Sequence, residues 1–267
     1  MKYNKNNPLR LFEAFAGYSS QALALKRLKR DYPEFDFVRV GWSEFDPQSK
    51  KPIDQQPAVI ANRALFGNDA PNYGDICKID WEQVPDFDLF TYSFPCTDIS
   101  NAGKQQGLEK GSGTRSSLLW ECEKAIRIKR PKYLLLENVK ALLSKKFLPF
   151  YNEWVSLLDG YGYTTFTQII DASKMGVPQH RERVFGLSIL RTDDDPEPTY
   201  SFPKPFPLEK KLKDVLEEHV DEKYYLSDKM LEYFQRVNDD DSHGHKFTPK
   251  DDGDTAFTVR TAPATLS

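Results

Sequence analysis

The sequence predicts an α/β protein with a mostly parallel sheet and helices on both faces. Two observations predict it. Short apolar runs alternate with segments whose apolar residues recur at helical spacing. The chemically distinctive residues stand at or just past the ends of those runs, where an open α/β sheet gathers its reactive side chains. Residues 10–15 read as the first strand, turning at Ala16-Gly17-Tyr18-Ser19-Ser20. Residues 21–29 follow as a helix, with Ser19 or Ser20 as its N-cap. Residues 37–43 form the second strand, ending on Glu44, and Gly74-Asp75-Ile76 marks another strand-end turn. Residues 88–92 are a strand leading to Phe94-Pro95-Cys96. Leu118, Leu119, Cys122, Ala125 and Ile126 mark a helix that ends before Pro131, and residues 133–136 form the strand leading to Glu137. A helix over 147–158 stops at Gly160, and 163–170 and 184–189 are the last strands.

The texture changes after residue 190. Asp193-Asp194-Asp195-Pro196 is a solvated break, and residues 198–207 are proline-rich. Residues 208–218 and 227–237 are expected to be short helices, and 239–245 a polar loop. This divides the chain into a catalytic, ligand-binding domain over 1–190 and a linker with further structure over 191–267. His243 and His245 sit in that soft acidic loop, where two histidines are more often solvated than ligating. No metal site is expected.

Composition narrows the class. The chain has 267 residues, 39% of them apolar, enough for a full core. Charged residues at 29% and aromatics at 13% argue against disorder. No apolar run approaches the ~18–20 residues that span a bilayer, and no apolar stretch follows Met1-Lys2-Tyr3, so neither a membrane span nor a secretory signal is expected. Three cysteines without a Cys-x-x-Cys pair fit a reducing cytosol and argue against a disulfide framework or a zinc site. Cys77 and Cys122 read as packing residues. The net charge of −3 weighs against non-specific nucleic-acid binding, and the basic clusters read mostly as solvated faces.

The residues at the strand ends carry the chemistry. The first turn holds Gly17 but no G-x-G-x-x-G fingerprint, so a carboxylate suits its helix N-terminus better than a pyrophosphate. Glu44 is placed to accept from ribose hydroxyls, Phe45 to stack on a base, and Asp75-Ile76 to bracket an adenine edge. Taken singly, these could be a surface acid, a core ring and a capping residue. Taken in order, they describe a nucleoside with a charged amino-acid tail. Cys96 and Glu137 end adjacent strands, and Arg181 and Arg183 lie in Gln179-His180-Arg181-Glu182-Arg183. A thiol, a carboxylate and two guanidiniums can attack an electron-poor ring and hold its developing charge. A lone cysteine is usually an inert buried residue; the surrounding motifs favour catalysis here.

With those residues in view, the chain resembles the DNA cytosine-5 methyltransferases. Phe15-Ala16-Gly17 looks like that family's first motif, Glu44 with Phe45 its second, and Asp75-Ile76 its third. Phe94-Pro95-Cys96 matches the Pro-Cys motif, and Leu118, after Gly113-Thr114-Arg115, a cofactor-facing position. Glu137-Asn138-Val139 and Gln179-x-Arg181-x-Arg183 match two more. Tyr18-Ser19-Ser20 departs from the family's usual glycines.

The resemblance covers about residues 10–190. It implies a Rossmann-like class I methyltransferase fold, followed by the start of a small target-recognition region. It also implies S-adenosylmethionine as cofactor, held by Phe15, Ala16, Gly17, Glu44, Phe45, Asp75, Ile76, Pro95 and Leu118. Cys96, Glu137, Arg181 and Arg183 become catalytic, with Asn138 and Gln179 as scaffold. Double-stranded DNA is the implied partner, in the cytoplasm of a prokaryote or a phage host, in restriction-modification or DNA protection. The family's last two motifs are not found, so the resemblance implies either a truncated product or a complementing C-terminal polypeptide as a further partner, and the chain alone is expected to bind DNA weakly and to have little or no activity. Competing readings are a tRNA cytosine-5 methyltransferase, a non-catalytic subunit or truncated remnant and, more distantly, a nicotinamide dehydrogenase.

Overall fold

The computed structural model describes residues 2–95, 118–239 and 255–257. Six strands form one sheet: β1 (Leu9–Ala14), β2 (Phe37–Ser43), β3 (Leu89–Tyr92), β4 (Tyr133–Val139), β5 (Tyr163–Asp171) and β6 (Glu182–Leu190), in the order β2-β1-β3-β4-β6-β5. β1 pairs in parallel with β2 and β3, and β3 with β4, whereas β6 runs antiparallel to β4. The helices are α1 (Ser20–Asp31), α2 (Pro57–Phe66), α3 (Leu119–Lys129), α4 (Leu148–Gly160) and α5 (Asp228–Asp239).

Register shows which helices cover which face. Phe12 lies beside Phe90, and Phe90 beside Leu134, so the three share one side of the sheet. That side carries the main core, closed by Trp81, Phe87, Trp120 and Ile126 of α3, and Tyr151 and Trp154 of α4. The Trp154 indole donates to the Tyr92 hydroxyl at 3.2 Å, which satisfies a buried N–H. Glu13 points to the other side, as the two-residue period of a strand requires. There Ala16, Trp42 and Val59 of α2 form a smaller cluster, and α1 meets Glu13 through the Ala22 N–H. Helices therefore cover both faces, as the sequence predicts.

β2 carries an irregularity that matters later. Leu11 pairs with Arg39, but Phe12 pairs with Gly41, so Val40 is an extra residue on β2. Simple alternation would put Arg39 and Trp42 on opposite faces. The bulge places both on the Glu13 side.

Three expectations fail. First, α2 is absent from the sequence reading. Its buried residues are Val59 and Asn62, while Ile60 and Leu65 are exposed, so its apolar residues trace no continuous core-facing stripe. Pro57 at its start and Gly67 at its end, with φ of 68°, are the signals that could have found it. Second, the strand before Gly74 shrinks to a single bridge between Trp42 and Asn72, because Pro71 has no N–H to extend the ladder. Third, the helix expected over 208–218 is only a 3-10 turn, Leu212–Val215. Val215 and Leu216 are more than half exposed, so no buried face stabilises a longer helix.

The chain forms two compact units, Met1–Ile169 with Arg183–Phe202, and Ile170–Glu182 with Pro203–Ser267. In the second, Met175 bridges Phe206 and Gln179 bridges Ala256.

Candidate active site and cofactor cleft

β3 and β4 are parallel neighbours, with Tyr92 beside Leu136, so the residues that follow each strand reach the same end of the sheet. Cys96 itself lies outside the described residues, as do Gly113, Thr114 and Arg115. Its approach is well anchored. Asn138 is 3% exposed and donates through Nδ2 to the Phe94 carbonyl at 3.0 Å, while its Oδ1 accepts from the Val139 N–H at 2.8 Å. The residue between Glu137 and Val139 thus ties the end of β4 to the chain two residues before Cys96.

Glu137 is turned the other way. Along β4, Leu134, Leu136 and Asn138 are buried, while Leu135, Glu137 and Val139 remain half-buried. On β6, Arg183 sits opposite Val139, one diagonal step from Glu137. Long side chains span such a diagonal. The Arg183 Nε lies 3.1 Å from the Glu137 Oε1.

Arg181 belongs to the second unit. Its backbone N–H donates to Asp171 Oδ1 at 3.0 Å, and its carbonyl accepts from Ala172 at 3.1 Å. Asp171 also accepts from the Ser173 N–H at 3.0 Å and meets His180 Nδ1 at 3.1 Å. Burial pushes the Asp171 carboxyl up, but the hydrogen bonds from His180, Ser173 and Arg181 outweigh it and hold the group at about 2. Gln179 donates to the Phe257 carbonyl at 3.3 Å, a scaffold contact.

The turn after β1 is tightly constrained. Phe15, Gly17 and Ser19 have φ of 55°, 55° and 60°. Ser19 occupies the N-cap position of α1 but makes no side-chain capping bond there, so neither serine caps as expected. The cap comes from β1: Glu13 Oε1 accepts from the Ala22 N–H at 3.1 Å. A buried carboxylate of the chain itself takes a donor that the sequence reading left to a ligand. Burial pushes the Glu13 carboxyl up, against the opposing pull of Ser19, Arg39 and the Ala22 N–H. The Ser19 side chain is buried in the same network, so one of the residues replacing family glycines is accommodated away from the ligand.

Beside this turn lies a cleft of about 420 Å³. Phe15, Glu44, Phe45, Asp75, Ile76, Pro95 and Leu118 all line it. Ala16 and Gly17 do not line it; they form the turn behind, and the Gly17 N–H donates to Glu44 Oε2 at 2.7 Å. Asp75 also caps the turn Ile76–Lys78 through the Cys77 N–H, so both readings of it hold. Sequence reasoning missed Ser93 in the lining and Asn72 behind it. Asn72 Oδ1 accepts from the N–H groups of Glu44 and Gly74, at 3.1 and 2.9 Å, which stitches two loops together. An Asn two residues before a Gly in a turn segment was the available signal.

Cys77 corrects another expectation. It is exposed and lines the cleft, whereas Cys122 is buried as expected. Partial burial of the Cys77 thiol, then the charges of Asp75 and Glu121, push it up to about 11.

The lining tests the cofactor. Two carboxylates, two aromatic rings and several small or apolar groups line the cleft, and among the described residues no Lys or Arg does. That set repels phosphates and suits a nucleoside with hydroxyls and a cationic tail. The residues fit S-adenosylmethionine better than a dinucleotide. Among the described residues, no group of His, Cys, Asp and Glu could hold a metal, and no helix is long and apolar enough to cross a membrane. His243 and His245 lie outside them.

Comparison with known proteins gives a consistent result. Residues 9–258 match the model of the family described as C-5 cytosine-specific DNA methylase. The chain is 40% identical to the type II methyltransferase M2.ScrFI of Lactococcus lactis subsp. cremoris, over 84% of this chain and 71% of that protein. It is 32% identical to the orphan methyltransferase M.SssI of Spiroplasma monobiae, over 86% of this chain and 70% of that protein. Among solved structures, the Dnmt2 methyltransferase of S. pombe shares the fold, with a TM-score of 0.66 at 19% identity over 93% of this chain and 69% of that one.

Proposed function

As a member of the C-5 cytosine-specific DNA methylase family, to which the chain belongs, the protein is a DNA cytosine-5 methyltransferase, and we propose that it works on a flipped cytosine through a covalent adduct of Cys96. The observation that carries this reading is the Glu137–Arg183 pair at the sheet end where β3 runs out toward Cys96. The acidic, nucleoside-sized cleft at the same strand ends supports it.

Each residue then has a task. The target base is stacked in a duplex and is extruded before reaction. Cys96, as thiolate, adds to C6 of the ring, which makes C5 a nucleophile. Glu137 meets the N3 and amine edge and stabilises the proton that N3 takes up. Arg183 holds the ring carbonyl and steadies the Cys96 side chain. Bound S-adenosylmethionine supplies an electrophilic methyl group on its sulfonium. After C5 is methylated, a base removes the C5 proton, and the electron pair left behind expels the Cys96 thiolate. Phe15, Glu44, Phe45, Asp75, Ile76, Pro95 and Leu118 hold the cofactor, and Ala16 and Gly17 shape the turn beside it. Double-stranded DNA is the substrate. Type II and orphan methyltransferases among the relatives favour a restriction-modification or DNA-protection role in a bacterial or phage-infected cytoplasm.

The test is adduct trapping. The purified chain is incubated with S-adenosylmethionine and duplex DNA carrying 5-fluorocytosine. A denaturation-resistant protein–DNA adduct that Cys96→Ser abolishes is the expected result. An adduct formed on 5-fluorocytosine RNA but not on DNA would move the substrate to RNA. No adduct on either, with cofactor bound, would mean that this chain needs a second polypeptide for the chemistry.

A further inference from the structure

The Gly17 turn is held from both sides. Its N–H goes to Glu44, which lines the cleft, and its carbonyl accepts from Asn62 Nδ2 at 3.3 Å. Asn62 sits on α2, fully buried and outside the cleft lining. Every polar atom of its side chain is used: Nδ2 also donates to Ser19 Oγ at 2.7 Å, and Oδ1 accepts from Arg39 Nη2 at 3.1 Å. Arg39 in turn donates to Ser19 Oγ at 3.0 Å, to Glu13 Oε2 at 3.2 Å and to Asp69 Oδ1 at 2.9 Å. Its guanidinium lies 4.4 Å from the centre of the Phe66 ring. The Val40 bulge brings this cation to the Glu13 side.

We propose that Asn62, fixed by Arg39, Ser19 and Glu13, is a positioning residue that presets the Gly17 turn and, through it, Glu44 for S-adenosylmethionine. The proposal rests on the cofactor reading of the cleft given above. Two non-glycine residues at positive φ within five, Phe15 and Ser19, are a costly backbone, and such strain persists only where its surroundings over-determine it. The polar network supplies that determination. Glu44 shares one carboxylate between the Gly17 N–H and the cleft, so moving the Gly17 peptide turns a cofactor-binding group.

Two substitutions test this. Asn62→Ala removes the whole side chain. Asn62→Asp keeps the oxygen that Arg39 binds and removes both N–H donors. The readouts are the S-adenosylmethionine Kd by calorimetric titration, the duplex-DNA Kd and the thermal midpoint. Both variants should weaken cofactor binding about 10-fold, the order of one lost hydrogen bond to a buried carbonyl, with DNA affinity unchanged. An unchanged cofactor Kd in a folded Asn62→Asp protein overturns the proposal. Hydrogen exchange of the wild-type segment 15–20 provides an arm that needs no variant. A preset turn is already protected in the free protein, whereas protection that appears only with cofactor overturns the proposal. Wild-type protein that binds no S-adenosylmethionine would instead refute the cofactor assignment of the cleft.

Discussion

At the residue scale, two side chains report on the site without a bound ligand. Cys77 is an exposed thiol pushed up to about 11, so near pH 8 it is almost wholly protonated and a poor nucleophile. In a Cys96→Ser background, its alkylation by iodoacetamide should be slow at pH 8 and accelerate steadily toward pH 11. Saturating S-adenosylmethionine should slow it, because Cys77 lines the cleft. A rate that levels off by pH 9 in mass-spectrometric labelling would contradict this. Arg183 reaches Glu137 by its Nε, a directional contact that a lysine ammonium does not reproduce. Arg183→Lys should therefore lower turnover about 10²-fold, the scale of losing one preorganised donor, with DNA affinity retained. Single-turnover methylation and a binding titration separate the two effects.

At the element scale, close contacts and hairpin ends set the limits. Gly41 on β2 has no room for a side chain, because an added Cβ would lie 2.6 Å from the Tyr73 ring and 2.8 Å from that of Phe12. Gly41→Ala should destabilise the protein by about 1–3 kcal/mol through overpacking. A shift in the urea midpoint measures it, and an unchanged midpoint would show that the rings yield freely. The segment between β5 and β6 depends on Asp171. Its carboxyl is held at about 2, below its usual 3.8, so the ionised form is the one the fold favours. The stability it contributes is complete above about pH 4 and is lost as pH falls toward 2. Asp171→Asn should flatten that acid limb for the 170–182 segment, as hydrogen exchange across the titration would show.

At the scale of the whole molecule, the Glu13–Arg39 pair joins β1, β2, α1 and α2. Both side chains are 1% exposed. Arg39→Met alone should cost about 3–5 kcal/mol, because it leaves the Glu13 carboxyl buried without its cation; pairing it with Glu13→Gln should recover part of the loss. Equal destabilisation in the single and double variants, read from denaturant unfolding, would show that the charges are not coupled.

The sequence by itself determined the α/β class, the six strands, the helices at α1, α3, α4 and α5, and the family. Short apolar runs, helical periods and strand-end motifs are local signals, and the residues that bear them are adjacent in the chain. It also pointed to the cleft-lining residues, since strand-end position is readable from a run and its last residue. Only tertiary structure decided what depends on partners far apart in sequence. The antiparallel register of β4 and β6 brings Arg183 to Glu137, across 46 residues of chain. A one-residue bulge turns Arg39 inward, where alternation alone cannot place it. The helix that carries Asn62 buries it beside one apolar residue, Val59, so it leaves no continuous hydrophobic stripe to read, and the role of Asn62 appears only when Gly17, Ser19 and Arg39 close around it.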